Sequence, residues 1–115
     1  MRNIFLGLSA MLLWSCTNDS ESDLIGDTPE DITYNETIKP IITENCIECH
    51  SQPPQNAAPM PLLTYDQVKD AVLHRGLIDR ISSFDPAFLM PYGRSRLPQS
   101  QINLITEWRN ANFPE

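Results

Sequence analysis

Thr33-Tyr34-Asn35-Glu36-Thr37-Ile38-Lys39-Pro40-Ile41-Ile42-Thr43-Glu44-Asn45-Cys46-Ile47-Glu48-Cys49-His50 is a helical pattern that runs into two cysteines and a histidine. Thr33 and Glu36 stand at capping-box spacing, the hydroxyl facing the third backbone N–H and the carboxylate reaching back. Ile38, Ile41, Ile42 and Asn45 come next at intervals of three and four, which places them on one face of a helix. Pro40 interrupts that pattern. It marks either the first turn of a shorter helix or a kink, because proline has no N–H and its ring crowds the preceding turn. The stretch predicts a helix that delivers Cys46, Cys49 and His50 to a common place.

Cys46-Ile47-Glu48-Cys49-His50 has the C-x-x-C-H form that attaches a c-type haem. The two thiols form thioethers to the haem vinyl groups, and a two-residue helical gap matches the spacing of those vinyls. The adjacent histidine faces the iron as an axial ligand. C-x-x-C alone also fits a redox disulfide or half of a zinc site. Zinc needs further Cys or His ligands, and the remaining candidates in the chain are Cys16 and His74. A thioredoxin-like motif expects a βαβ pattern, which the sequence does not display. Covalent haem attachment through Cys46 and Cys49, with His50 on the iron, is the expected chemistry.

The N-terminus predicts export. Met1-Arg2-Asn3 is a short positive start, and Ile4 to Trp14 is an uncharged apolar run. That run falls short of the ~20 residues that span a bilayer and suits the hydrophobic region of a signal peptide. Leu13-Trp14-Ser15-Cys16 resembles a bacterial lipobox, with Trp14 an uncommon occupant of its tolerant position. The resemblance implies a signal peptide over 1–15 and a lipidated Cys16 as mature N-terminus, anchored to a bacterial membrane on its periplasmic side or at the cell surface. An ordinary signal peptide or an uncleaved anchor is the plainer alternative. One lipidated and two haem-bound cysteines would account for all three in the chain. Residues 16–31 are polar and acidic with little to bury and read as a flexible tether. Acids close after Cys16 also resemble the surface-export signals of some bacterial lipoproteins. The folded domain is expected over 32–115.

The 115 residues carry a formal net charge of -7. Loss of residues 1–15 removes Arg2 and no acid, giving -8. This balance argues against nucleic acid and against electrostatic attraction to anionic lipid, and it permits a redox protein partner with a basic face. A domain this small has a thin core of its own. The pattern predicts an all-α fold of three to five short helices with irregular loops. Ser51 to Pro61 is a proline-rich loop. Thr64-Tyr65-Asp66-Gln67 is a second capping box, opening a helix through Val68, Ala71 and Val72 that stops at Gly76. Gly76 to Ile81 suits a further short helix, and Asp85 to Leu97 reads as irregular. A final helix is expected from about Pro98 to Asn112, with Ile102, Ile105, Trp108 and Arg109 along one side and Leu104 beside them.

Methionine or histidine usually completes a six-coordinate electron-transfer haem. Beyond the signal segment the candidates are Met60, Met90 and His74. Met90 is preferred because it lies in the irregular Phe88-Leu89-Met90-Pro91-Tyr92-Gly93, which can fold over a haem face. An open distal site is the remaining possibility. Arg80 offers a guanidinium to a haem propionate, although a solvated arginine partnered by Asp79 or Glu107 is the plainer reading. Tyr65 and Trp108 read as core rather than as electron relays, and Leu62, Leu63, Leu77, Ile81 and Leu89 as pocket or core.

Residues 33–113 resemble a small bacterial mono-haem cytochrome c domain of class I type. The matching parts are Ile38-Lys39-Pro40-Ile41, Cys46 to His50, the helix from Thr64 to Leu73, Met90-Pro91, and Leu97 to Trp108. Tyr92 departs from the proline or glycine common after Met-Pro. The resemblance implies one covalently bound haem c held by Cys46 and Cys49, axial ligation by His50 and Met90, and Trp108 packed between the first and last helices. It implies an electron carrier rather than an enzyme. A haem enzyme or gas sensor with an open or labile distal site, peroxidase-like, would draw on His74-Arg75. A zinc-binding or structural surface module is the third expectation.

Overall fold

A computed structural model describes residues 31–115, and the expected signal peptide, Cys16 and most of the tether lie outside the described residues. The described part is all-α, with four α-helices and no strand among the described residues. A π-helical turn, Tyr34–Ile38, leads directly into α1, Lys39–Asn45. Then come α2, Tyr65–His74, α3, Leu77–Ser82, and α4, Gln99–Asn110. No helix among the described residues is long and apolar enough to cross a membrane.

The π turn is the structural answer to Pro40. In an unbroken α-helix from Tyr34, the proline ring would crowd the Glu36 carbonyl and leave a backbone acceptor unmet. Instead the Ile38 N–H reaches back five residues to the Thr33 carbonyl (3.2 Å), and Pro40 falls in the first turn of α1. The Thr33 hydroxyl accepts from the Glu36 N–H (3.3 Å), one half of the expected capping box. The second box is complete. Thr64 Oγ1 accepts from the Gln67 N–H, and Gln67 Oε1 accepts from Thr64 (3.2 Å) and also from the Leu63 N–H (2.7 Å). Gly76, at φ 65°, ends α2 and starts α3 as a single left-handed corner, a conformation that costs a side-chain-bearing residue about 1 kcal/mol or more.

Three elements differ from expectation. Pro98 stands just outside α4, with extended ψ of 142°. Arg109 faces solvent, since only Ile102, Ile105 and Trp108 of α4 are buried. Leu63 is also exposed, because it precedes the α2 cap and points away from the core that takes Leu62.

The core gathers Tyr34, Ile38 and Ile42, Val68 and Ala71, Leu77 and Ile81, and the buried face of α4. Trp108 is fully buried, its ring 5.8 Å from that of Tyr34, so the last helix packs on the segment that precedes α1. The chain then folds back. Asn112 and Phe113 take left-handed φ of 65° and 60°. This brings the Pro114 carbonyl to accept from Trp108 Nε1 (2.7 Å) and from the Tyr34 N–H (2.9 Å). Phe113 closes edge-on over Trp108, with ring centroids 4.8 Å apart. Tyr65 adds its hydroxyl to the Phe113 carbonyl at 2.9 Å. These bonds tie the tail, α2, α4 and the π turn together, and so fix α1 and the cysteine-bearing turn at its end.

Candidate functional site

Cys46 to His50 forms one helical turn at the end of α1. The Cys46 N–H donates to Ile42 (2.8 Å), and the Cys46 carbonyl accepts from both Cys49 (3.2 Å) and His50 (2.9 Å). That turn puts both sulfurs and the imidazole on the wall of one cleft. Two adjoining cavities, of about 250 Å³ and about 490 Å³, share Cys46, His50, Pro59, Ile81 and Met90. The smaller is lined further by Leu62, Leu77, Met60, Arg75 and Arg80; the larger by Cys49, Glu48, Pro91, Tyr92 and Arg94 among others. The cleft walls are therefore mostly apolar, with arginines at the margin.

His50 is held in a defined state. Its Nδ1 lies 2.7 Å from the Met60 carbonyl oxygen. A carbonyl only accepts, so Nδ1 carries the hydrogen and Nε2 keeps a free lone pair. Ring orientation and tautomer fixed by a main-chain partner is the arrangement that metal-ligating histidines use. The Leu62 N–H also returns to the His50 carbonyl (2.9 Å), so the 51–61 loop closes on the residue that it leaves. The two cysteine thiols are free. Burial, with the Cys49 sulfur adding to it, pushes the Cys46 thiol up to about 11, so it is protonated at neutral pH. Asn56 Nδ2 contacts Cys49 Sγ at 3.4 Å.

Met90 is half-buried on the cleft wall, and its N–H donates to the Arg80 carbonyl at 3.1 Å. Met60 shares the smaller cavity, while its carbonyl serves His50. His74 is exposed and does not line the cleft. Arg80 borders the cleft with its guanidinium 4.3 Å over the Phe88 ring. Neither Asp79 nor Glu107 pairs with it among the described residues. Arg75 borders the same cavity and pairs with Asp70 at 3.1 Å.

The structure thus brings together Cys46, Cys49, His50, Met90 and Arg80, and leaves His74 outside. The sequence reading missed the Met60 carbonyl, Arg75, Asn56 and the Glu48–Arg94 pair. A hint of the first was present, since a residue before proline is biased to extended backbone, and Met60 stands before Pro61. Among the described residues no three His, Cys, Asp or Glu side chains converge as for a protein-held metal ion. No family model matches the chain, and no curated protein or solved structure matches it.

Proposed function

We propose that the protein is a membrane-anchored mono-haem c-type cytochrome that carries single electrons between redox partners. The observation that carries this reading is the cleft itself. Two free thiols, an imidazole with Nε2 available and a methionine line one mostly apolar cleft. The residues fit a covalently held haem: thiols for thioethers, nitrogen and sulfur for iron, apolar walls for a macrocycle, and Arg75 and Arg80 for carboxylates at its margin.

Bound haem supplies a one-electron ferric–ferrous couple. Cys46 and Cys49 hold it by adding S–H across its vinyl groups, each sulfur forming a bond to one vinyl carbon while a hydrogen goes to the other. His50 Nε2 is its proximal donor, and the Met60 carbonyl keeps that imidazole oriented and electron-rich. Met90 Sδ is the distal donor. A histidine–methionine pair favours the ferrous state and raises the potential. Leu62, Leu77 and Ile81 exclude water, which adds to that effect. Each ligand stays in place through the cycle, so no residue need move a proton. Cys16, if lipidated, tethers the domain to a bacterial membrane after export.

Met90 on the cleft wall favours a carrier over an enzyme or sensor with an open distal site, and His74 is too remote to serve a peroxidase-like one. A zinc-binding module lacks further ligands among the described residues. The test is an absorbance spectrum of the protein expressed in a bacterial periplasm with haem-attachment machinery. Colour retained after denaturation, a low-spin spectrum, and a methionine–iron band lost in Met90→Ala but kept in Met60→Ala are expected. A high-spin spectrum that takes up carbon monoxide readily would favour the sensor or enzyme. A colourless protein would sink both.

A further inference from the structure

The described residues form two ion pairs. Arg75–Asp70 is local to the end of α2. Arg94–Glu48 joins residues 46 apart in sequence, linking the turn that carries the cysteines to the loop that carries Met90. Both partners line the larger cavity beside Cys49 and Met90.

The Met90 loop is tied firmly at its two ends. The Met90 N–H bonds the Arg80 carbonyl at 3.1 Å, and Arg96 Nε bonds the Ser82 carbonyl at 3.0 Å. Its crown, residues 91–95, has a turn of its own, with the Arg94 N–H on the Pro91 carbonyl (3.2 Å) and Gly93 at φ 71°. Among the described residues the only hydrogen bond from 91–95 to the rest of the protein is Arg94 to Glu48. A loop fixed at its ends and free at its crown can lift away from the attachment turn, and this one contact opposes that motion.

We propose that Glu48–Arg94 is a latch that sets how often Met90 leaves the iron. The inference rests on His50 and Met90 being the axial ligands. Glu48 and Arg94 are positioning residues: neither touches iron, and they act by holding the loop crown down. Their side chains are 66% and 50% exposed, so the pair is weak and open to salt. Exposed pairs of this kind change an equilibrium about twofold to fivefold and are screened over a Debye length of about 8 Å at physiological ionic strength. The latch therefore makes methionine dissociation sensitive to ionic strength.

The test uses the ferric holoprotein and cyanide, which can bind the distal position only when methionine is off. Glu48→Gln and Arg94→Gln should each take up cyanide about twofold to fivefold faster than the wild type. The exchanged pair, Glu48→Arg with Arg94→Glu, should return the rate toward wild type, which a merely structural role for either side chain would not produce. Added salt should accelerate the wild type and leave the single variants unchanged, with Met90→Ala as the control for salt acting on cyanide itself. Single variants at the wild-type rate, or an exchanged pair as fast as the singles, overturn the latch while leaving Met90 as ligand. A wild type as fast as Met90→Ala overturns the ligand assignment, and the latch with it.

Discussion

Phe113→Ala tests the fold-back of the tail. Phe113 is 7% exposed, so truncation exposes the surroundings of a nearly buried ring. Burial of a phenylalanine contributes about 1.5–3 kcal/mol. The edge-on contact with Trp108 at 4.8 Å adds about 0.5–1.5 kcal/mol. Lys69 Nζ, 5.2 Å above the same ring, adds about 0.5–1 kcal/mol. The expected loss is about 3–5 kcal/mol, the usual range for a buried phenylalanine cut to alanine. A domain the size of residues 31–115 has a total stability of roughly 4–13 kcal/mol, so a third or more is removed. The midpoint measured by near-ultraviolet circular dichroism should fall by about 15–30 °C. Phe113→Gly provides an internal control. It loses the same ring but relieves a left-handed φ of 60°, and should sit about 1 kcal/mol above Phe113→Ala. A shift under about 5 °C for Phe113→Ala would refute the argument, because the tail would then not be closing the core.

The cleft gives two more expected outcomes. In the protein without haem, burial holds the Cys46 thiol up to about 11 against 9.0 in the unfolded chain. The folded state thus keeps its proton longer, and this contribution is whole below pH 9 and lost as pH rises through about 11. Urea unfolding across that window should show stability falling, and Cys46→Ala should flatten the fall; an unchanged slope in Cys46→Ala would place the titration elsewhere. Ala57 sits at φ 60° in the loop that lines the cleft. Ala57→Gly should stabilise the protein by about 1 kcal/mol in the same unfolding assay, and a loss of stability would show that the methyl group is a needed contact.

Much of the local architecture was legible because it is written in short-range chemistry. Thr64 and Gln67 cap each other across three residues, and Gly76 is a corner whichever way the helices lie. The clustering of Cys46, Cys49 and His50 needed only one helical turn. The features that escaped the sequence reading depend on distant chain meeting main chain. The Met60 carbonyl has no side-chain signature, although it fixes the tautomer of His50. Glu48 and Arg94 are ordinary surface residues until the Met90 loop brings them together. Arg109 was placed on the buried stripe by spacing alone, while packing admits only Ile102, Ile105 and Trp108. Pro40 announced a disturbance, but a kink, a helix start and a π turn all satisfy the same missing N–H.

The π turn has an angular consequence. A helix advances about 100° per residue, so the one residue that the wide turn absorbs sets the phase between Tyr34, clamped by the tail, and Cys46, on the cleft wall. Delete a residue from 35–37 and every chemical group of the site survives. The two sulfurs would nonetheless emerge about a quarter-turn away from Met90, and a sequence with its whole motif intact would have no site.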